Sequence, residues 1–267
     1  MAPRIACSTS SLWMWDLPRA FGTLAEAGFD AFELMVTRDP LTQSPDTPAR
    51  LAEREGLEIV AVHAPMLLLT RRVWGPNFMP IVERSVDLAI ELGAPVVIVH
   101  PPYLWELRYQ SWLLGRLNRY AAERGVTIAV ENMFNLWVRD RPIRGYRWVT
   151  PADLHRFSHV TLDTSHCGVD GYDILKATEE VGRRLAHVHL SDNHGEHRDS
   201  HALPGTGLLP LEPFVRQLGE QGYSGAISLE LDLREAAADP RDVVEALRHS
   251  REFCEAQLEE ATPPRKP

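Results

Sequence analysis

Nine side chains that could bind metal ions lie between residues 63 and 230 of the chain. They are His63, His100, Glu131, Asp163, His166, His189, Asp199, His201 and Glu230. Most come directly after a short apolar run typical of a buried strand, namely EIVAVH, VVIVH, TIAVE, VTLD, LAHVH and AISLE. Side chains at the ends of different strands can converge on one point only if the strands surround it. The pattern therefore predicts a metal centre at one end of a barrel.

Four of these residues form the core of the predicted centre, because they follow successive strands. They are Glu131, Asp163, His189 and Glu230, after the predicted fifth to eighth strands. Three carboxylates and an imidazole suit Mn²⁺, Zn²⁺, Co²⁺ or Mg²⁺, and also Fe²⁺. Buried carboxylates this close repel one another unless a cation or a shifted pKa resolves the conflict. A salt bridge could explain any one of them alone, but four at successive strand ends favour a metal site.

Two histidines could extend this centre from the neighbouring strands. His63 and His100 each end a predicted strand and are followed within two residues by proline. Proline stops the strand, so both imidazoles should lie at the rim of the barrel. They either support other ligands or, together with Glu131, hold a second metal ion.

The segments after the sixth and seventh strands add further polar groups. Asp163 and His166 are three residues apart across a strand-to-turn transition and can face the same cavity. Asp199 and His201 are separated by one residue, so in an extended loop both point the same way. This pair could bind a metal ion, grip a substrate hydroxyl, or belong to an ordinary polar loop. His187 should also point inward, where a supporting or core role is favoured over metal binding.

The elements that must position these groups alternate between short strands and longer amphipathic helices. Markers at corresponding strand ends recur at intervals close to the roughly 30 residues of one βα unit, so eight units fill the chain. We expect strands near 4–8, 29–35, 58–63, 95–100, 126–131, 159–163, 185–190 and 226–231. Because an open sheet would spread the ligands along a row, they favour an α/β fold with a single closed (β/α)8 TIM barrel. We predict one domain over 1–258 and a disordered tail over 259–267.

Composition narrows the functional class. The 267 residues include 28 basic and 37 acidic ones, for a net charge of −9, which argues against a dedicated nucleic-acid protein. No apolar stretch is long enough to span a bilayer and no signal peptide is evident, so we expect no membrane partner. The three cysteines are widely spaced and odd in number, which predicts a reducing, cytoplasmic location.

The complete motif set resembles the xylose-isomerase-like barrel superfamily over nearly the whole chain. The segments that carry the resemblance are the nine residues above, with DTSH at 163–166, HLSD at 189–192, DSHALPGTG at 199–207 and ELD at 230–232. This superfamily contains metal-dependent sugar isomerases and epimerases, and the AP endonucleases of the endonuclease IV type. The sugar branch implies one metal ion bound by Glu131, Asp163, His189 and Glu230, with His166 on the substrate. The nuclease branch implies three zinc ions bound by all nine residues.

Two segments look more like the sugar branch. Glu33 lies where those enzymes carry a GF-x-x-x-E motif, and HLSDNHGEHRDSHALPGTG resembles their loop after the seventh strand. The segments VTRDPLTQSPD and NMFNLWVRD do not match the nuclease pattern. We therefore predict an isomerase or epimerase of a small sugar or related polyhydroxy carbonyl compound, which works through an enediolate. The alternatives are an endonuclease IV-like phosphodiesterase and a keto-sugar dehydratase on the same metal site.

Roles follow from this prediction. Glu131 and Glu230 would be the acid/base pair, and His166 would act beside them. The predicted substrate contacts are Glu33, His63, His100, His166, Asp192, His201 and Trp137.

The segment 134–149 combines four arginines with four aromatic residues. This composition suits single-stranded nucleic acid, a phosphorylated or acidic sugar, or a subunit interface of a homo-oligomer. We favour a small-molecule pocket or an interface, because the rest of the chain is acidic.

Overall fold

Parallel strands form a closed barrel in the computed structural model, which describes residues 3–67 and 73–261. The strands of the barrel are β1 (Arg4–Ser8), β2 (Ala31–Met35), β3 (Glu58–His63), β4 (Val96–Val99), β5 (Thr127–Glu131), β8 (Val160–Asp163), β9 (Leu185–Leu190) and β10 (Ala226–Leu229). Around the barrel their order is β1-β10-β9-β8-β5-β4-β3-β2, and every neighbouring pair is parallel. The predicted single (β/α)8 TIM barrel is confirmed.

Helices pack around the strands and enclose the main apolar core between the two layers. They are α1 (Leu17–Glu26), α2 (Asp46–Glu55), α3 (Phe78–Leu92), α4 (Leu107–Gly115), α5 (Leu117–Arg124), α6 (Thr164–Val169), α7 (Ile174–Val181), α8 (Leu211–Glu220) and α9 (Pro240–Ala261). Gly56, Gly93 and Gly125 end α2, α3 and α5 with φ of 69°, 73° and 68°. Only glycine adopts this left-handed conformation without strain, so these residues set where each helix stops.

The inside of the barrel changes from apolar to polar along its axis. Ala6, Ala31, Val60 and Ala226 form a small separate apolar cluster. Residues two further along a strand face the same way, so Ser8, Glu33 and Ser228 continue the inward rows from Ala6, Ala31 and Ala226. The strands therefore bring polar side chains together at their carboxyl ends, above a floor of small residues.

Two regions differ from the expectation. Residues 136–143 contain an antiparallel hairpin of β6 (Leu136–Val138) and β7 (Arg141–Ile143), where only a loop was expected. Residues 259–261 belong to α9 rather than to the predicted tail, and residues 262–267 lie outside the described part of the chain. Within the described ranges, no helix combines the length and the apolar character that crossing a membrane requires.

Candidate metal centre

The four ligands predicted from successive strands meet at the carboxyl end of the barrel. One donor atom from each of Glu131, Asp163, His189 and Glu230 lies within 4.8 Å of the others. Nδ1 of His189 lies 2.8 Å from Oε1 of Glu131, 3.2 Å from Oε2 of Glu230 and 3.7 Å from Oδ2 of Asp163. The closed barrel makes this possible, since β5, β8, β9 and β10 are consecutive neighbours.

His63 and His100 face the other oxygen of Glu131. Their Nε2 atoms lie 3.4 Å and 3.1 Å from Oε2 of that carboxylate. All three side chains are buried. Glu131 thus belongs to the four-residue group and also faces this pair of imidazoles, so its carboxylate could bridge two cations.

A third group lies on the opposite side, around Asp199. Its Oδ2 is 2.8 Å from Nε2 of His201 and 3.3 Å from Nε2 of His166. Donor atoms of Asp163, His166 and His201 also lie within 4.8 Å of one another. All nine residues predicted as ligands are therefore in one continuous cluster.

In four histidines of the cluster, one ring nitrogen is hydrogen-bonded to an oxygen and the other ring nitrogen faces the carboxylates. An oxygen acceptor occupies Nδ1 of His63, His166 and His201 and Nε2 of His189, at 2.8 to 3.1 Å. The acceptors are the backbone oxygens of Ala64, Asn132 and Glu230 and the carboxylate of Glu33. Metal-binding histidines are held in this way, because the outer hydrogen bond fixes the tautomer and orients the ring.

Asp163 provides an independent test of whether a cation fits. Its Oδ1 accepts a hydrogen bond from the backbone N–H of His166 at 2.8 Å, while its buried Oδ2 has no hydrogen-bond partner among the described residues. Burial raises the pKa of this carboxyl to about 6, against the lowering effect of the charges of His166 and His201. An unpartnered carboxylate oxygen beside three other ligand side chains fits a divalent ion.

Glu131 and Asp199 owe their ionised state to the imidazoles. Burial raises the pKa of Glu131 and Asp199, but neighbouring histidines outweigh it and hold both pKa values well below the usual range. Conversely, burial lowers the pKa of His201, but Asp199 raises it to about 10. Positive charge next to these carboxylates is thus a requirement of the cluster, which imidazolium or a metal cation can meet.

The loop after β9 is organised by Asp192. Its two carboxylate oxygens accept hydrogen bonds from four backbone N–H groups, those of Asn193, Gly205, Gly207 and Leu209, at 2.8 to 3.0 Å. The side chain is fully buried. These bonds fix the loop that carries Asp199 and His201, and the predicted substrate contact of Asp192 stays a prediction.

His201 has an unusual backbone. Its φ of 41° lies in the left-handed region, which is unfavourable for a residue with a Cβ. The conformation is held by its neighbours, because the carbonyl of His201 accepts from the N–H of Asp232 at 2.7 Å and Ala202 pairs with Asp192. Strained backbone of this kind is concentrated at functional sites, and here it lies at a predicted ligand.

Trp137 connects two loops. Its indole N–H donates to Asp170 at 2.9 Å, and its ring stacks on His197 with ring centroids 3.7 Å apart. Asp170 also accepts from the backbone and side chain of Asn135. The hairpin is thereby attached to the end of α6 and to the loop after β9, and the predicted substrate contact of Trp137 stays a prediction.

Other aromatic rings of segment 134–149 are packed internally. Tyr146 and Trp148 are buried, and Tyr146 stacks on Tyr103 with a hydroxyl–hydroxyl distance of 2.9 Å. Arg144 forms an ion pair with Asp153 at 3.0 Å. Stacking on nucleic-acid bases needs exposed ring faces, so the structure does not favour that reading of the segment.

Several residues of the site escaped prediction because their role depends on contacts made only in the folded chain. Ser10 donates to Oε1 of Glu230 at 3.0 Å, and Ser165 donates to Oδ1 of Asp199 at 2.7 Å. Asn132 accepts from the backbone N–H of Asp163 at 2.7 Å. The position of Asn132 directly after Glu131 was the one available signal. Nothing in their local sequence distinguishes the two serines from turn residues.

A cleft opens beside the cluster. One part, of about 250 Å³, is lined by Ser10, Trp13, His201 and Glu230. An adjoining part of about 860 Å³ is lined by charged side chains of both signs, including Glu196, Arg198, Asp232, Arg234 and Glu235. Asp199 lines both parts, so a bound molecule could reach the predicted ligands from here.

Comparisons with known proteins agree with this architecture. The family described as xylose isomerase-like TIM barrel matches residues 21–253. An uncharacterized protein of Mycobacterium leprae is 32% identical over 280 residues, which cover 94% of this chain and 97% of that protein. Fructoselysine 3-epimerase of Escherichia coli O157:H7 is 22% identical over 239 residues, covering 80% and 85% of the two chains. The crystal structure of a D-tagatose 3-epimerase-like protein superposes with a TM-score of 0.75 at 26% identity, covering 97% of this chain and all of that one.

Proposed function

Because the chain belongs to the xylose isomerase-like TIM barrel family, we propose that it is a metal-dependent epimerase or isomerase. Its substrate would be a small sugar or a related polyhydroxy carbonyl compound. The observation that carries the proposal is the convergence of Glu131, Asp163, His189 and Glu230, with an unpartnered oxygen of Asp163 among them. Similarity to sugar epimerases in sequence and in structure supports it.

The chain's own residues have distinct tasks in this reaction. A divalent ion held by the four ligands would supply positive charge that lowers the cost of forming an enediolate. Glu230 lines the cleft and accepts a hydrogen bond from Ser10, and we assign to it the removal of a proton from the carbon next to the carbonyl. Glu131 would first take a proton from the facing imidazolium of His63, then return it to that carbon from the other side and so invert it. Exchange with solvent would reset both groups. His166 and His201 would hold substrate hydroxyls.

Proton exchange with solvent tests this mechanism directly. The purified enzyme is loaded with Mn²⁺ or Co²⁺ and incubated with ketoses in D₂O, and deuterium at the epimerised carbon is followed by NMR. We expect incorporation by the wild type and a loss of at least about 100-fold in Glu230→Gln and Glu131→Gln. Asp239→Asn, at an exposed helix start, is the control that should keep wild-type activity. Undiminished exchange in both glutamine variants would exclude the glutamate pair.

The cleft guides the choice of substrates. Its walls carry unlike charges, so a sugar with an ionic substituent could be held alongside the metal cluster. The screen should therefore include free ketoses, phosphorylated ketoses and ketoses linked to an amino acid. The three cysteines are free and buried, in agreement with the cytoplasmic location that we propose. Assembly into a homo-oligomer stays a prediction.

A second candidate, a phosphodiesterase of the AP-endonuclease kind, is favoured by one specific observation. Beyond the four ligands, His63 and His100 face Glu131, and His166 and His201 face Asp199, each through Nε2. These additional groups could hold two more cations around a phosphate.

Metal content distinguishes the two candidates. Elemental analysis of protein purified without added metal should give about one divalent ion per chain for the sugar enzyme. Three zinc ions per chain, together with cleavage of DNA that contains an abasic site, would establish the phosphodiesterase instead.

A further inference from the structure

We propose that Glu33 is a positioning residue for the metal centre: it fixes His189 in the tautomer that presents Nδ1 to the metal, and His187 in turn fixes Glu33. This inference rests on the metal centre of the proposed function. It goes beyond that function because it assigns a role to two residues that lie beneath the four ligands.

The geometry joins the three side chains through a single oxygen. Oε2 of Glu33 lies 2.8 Å from Nε2 of His187 and 3.0 Å from Nε2 of His189. The two imidazole rings are nearly perpendicular, at 88°, with centroids 5.3 Å apart. All three residues have no exposed surface, so these contacts are shielded from water. A carboxylate can only accept, hence both nitrogens must donate a proton to it.

This arrangement decides which nitrogen of His189 is available. A metal-bound imidazole is neutral and carries one N–H, and Glu33 would keep that proton on Nε2. Nδ1 faces Glu131 and Glu230 at 2.8 and 3.2 Å, so in the metal-free chain it also donates, and a bound cation would displace the proton on Nδ1. Without Glu33, those two carboxylates would be the nearest acceptors, and the proton would move to Nδ1. A ring protonated at Nδ1 cannot bind the metal from this position.

The position in the barrel explains why a glutamate is needed. Glu33 is on β2, and β1 and β10 separate that strand from β9. Its side chain must therefore reach across the interior to both histidines. Small residues provide the room below, since Ala31 and Ala226 lie one inward step beneath Glu33 and Ser228 on the same strands. An aspartate, one methylene shorter, would not reach both rings.

Glu33 has no exposed surface, which supports a positioning role, while its predicted contact with substrate stays a prediction. His187 shares this position and supplies the second N–H that holds the carboxylate. Oxygen acceptors that orient metal-bound histidines commonly affect metal affinity by about 10–100-fold.

Binding of Co²⁺ to chelator-treated protein tests the inference without requiring turnover. Affinity is measured by calorimetry and by the visible absorption of bound Co²⁺, and the ring protonation of His189 by ¹⁵N NMR of histidine-labelled protein. We expect Glu33→Gln and Glu33→Asp to lower Co²⁺ affinity by about 10–100-fold. His187→Gln keeps a donor for Glu33 and should retain most of the affinity, whereas His187→Phe removes the donor and should lose it. Glu91→Gln, on the exposed face of α3, controls for the change in net charge.

The outcomes separate this inference from the proposed function. If the wild type binds no Co²⁺, both fail together. If the wild type binds Co²⁺ and Glu33→Gln binds it equally well, only the role of Glu33 is overturned. Should the variants not fold, the wild type still decides: in Zn²⁺-loaded protein, Nε2–H on His189 with the ion on Nδ1 supports the inference, and a ring that binds the ion through Nε2 overturns it.

Discussion

At the scale of single residues, a side chain of the predicted metal centre can serve both the fold and the predicted chemistry. Asp163 is the clearest case, since one oxygen caps α6 through the N–H of His166 and the other has no hydrogen-bond partner among the described residues. The cap stabilises the helix. The second oxygen lies 3.7 and 3.8 Å from the Nδ1 atoms of His189 and His166 without a hydrogen bond, so its burial is a cost to the fold unless a cation is present.

Replacing Asp163 by Asn should therefore stabilise the chelated protein while it abolishes metal binding. Asparagine keeps the capping oxygen but removes the buried charge. We expect the thermal midpoint at pH 7.5 to rise by at least about 2 °C, since a relief of 1 kcal/mol corresponds to about 2–4 °C for domains near this size. Calorimetry of the chelated proteins measures this shift, and elemental analysis measures the lost metal.

The difference in stability between Asp163→Asn and the wild type should depend on pH. Burial raises the pKa of Asp163 to about 6, above the value of about 4 in an unfolded chain. The folded state thus binds the proton more tightly, and its stability falls as the pH rises from about 4 to 6. The advantage of Asp163→Asn should be largest above pH 6 and vanish near pH 4. An advantage that grew toward acid would contradict this assignment.

At the scale of elements, the loop after β9 depends on Asp192 in a way that offers a matched comparison. Asp163 and Asp192 are both fully buried, but four backbone N–H groups occupy the oxygens of Asp192. Asp192→Asn puts an NH₂ group against two of those donors. Each buried donor left unsatisfied costs about 1–3 kcal/mol. Urea denaturation should show a loss of at least about 2 kcal/mol, the opposite sign to Asp163→Asn, and limited proteolysis should cut the loop faster.

Gly207 and Gly22 offer a second matched pair. A Cβ on Gly207 would lie 2.3 Å from Oδ1 of Asp192 and 2.5 Å from the carbonyl oxygen of Asn193, whereas a Cβ on Gly22 in α1 meets no atom within 4 Å. Gly207→Ala should destabilise the protein by about 1–3 kcal/mol through this overlap. Gly22→Ala should stabilise it by about 0.5–1 kcal/mol, because alanine is the better helix former. Equal effects of the two changes on urea denaturation would show that close packing at Gly207 is not the cause.

How far the sequence predicts these elements depends on how local their signals are. The barrel strands were predicted to within about two residues of their observed ends, because each is a continuous apolar run. The helical segment before β5 is divided at Arg116 into α4 and α5, a break that amphipathic pattern alone does not show. The hairpin β6–β7 was missed because its residues are largely exposed and carry no alternating burial signal. The residues of the cluster were predicted from their positions at strand ends, while the role of Asp192 in the loop depends on a hydrogen bond across 17 residues of chain.

At the scale of the whole molecule, the barrel divides its interior between folding and chemistry. Small apolar residues fill the floor, and the polar cluster fills the carboxyl end. Because the four predicted ligands come from the ends of neighbouring strands, a bound cation would connect β5, β8, β9 and β10 at once. We therefore expect metal binding to raise the free energy of unfolding of the whole barrel rather than to stabilise one loop alone.

Thermal unfolding with added metal tests this coupling. A ligand that binds only the folded chain adds about 2.7 kcal/mol at 100 times its dissociation constant. For a barrel of this size the thermal midpoint of chelated protein should then rise by about 5–10 °C in Mn²⁺, Co²⁺ or Zn²⁺. Asp163→Asn is the control that should begin from a higher midpoint and show little further rise, because it lacks the charge that the cation neutralises. A wild type whose midpoint does not move with any of these ions would contradict a metal centre at the mouth of the barrel. A rise of equal size in Asp163→Asn would place the binding elsewhere, because the four-residue group cannot hold a cation with full affinity once that carboxylate is gone.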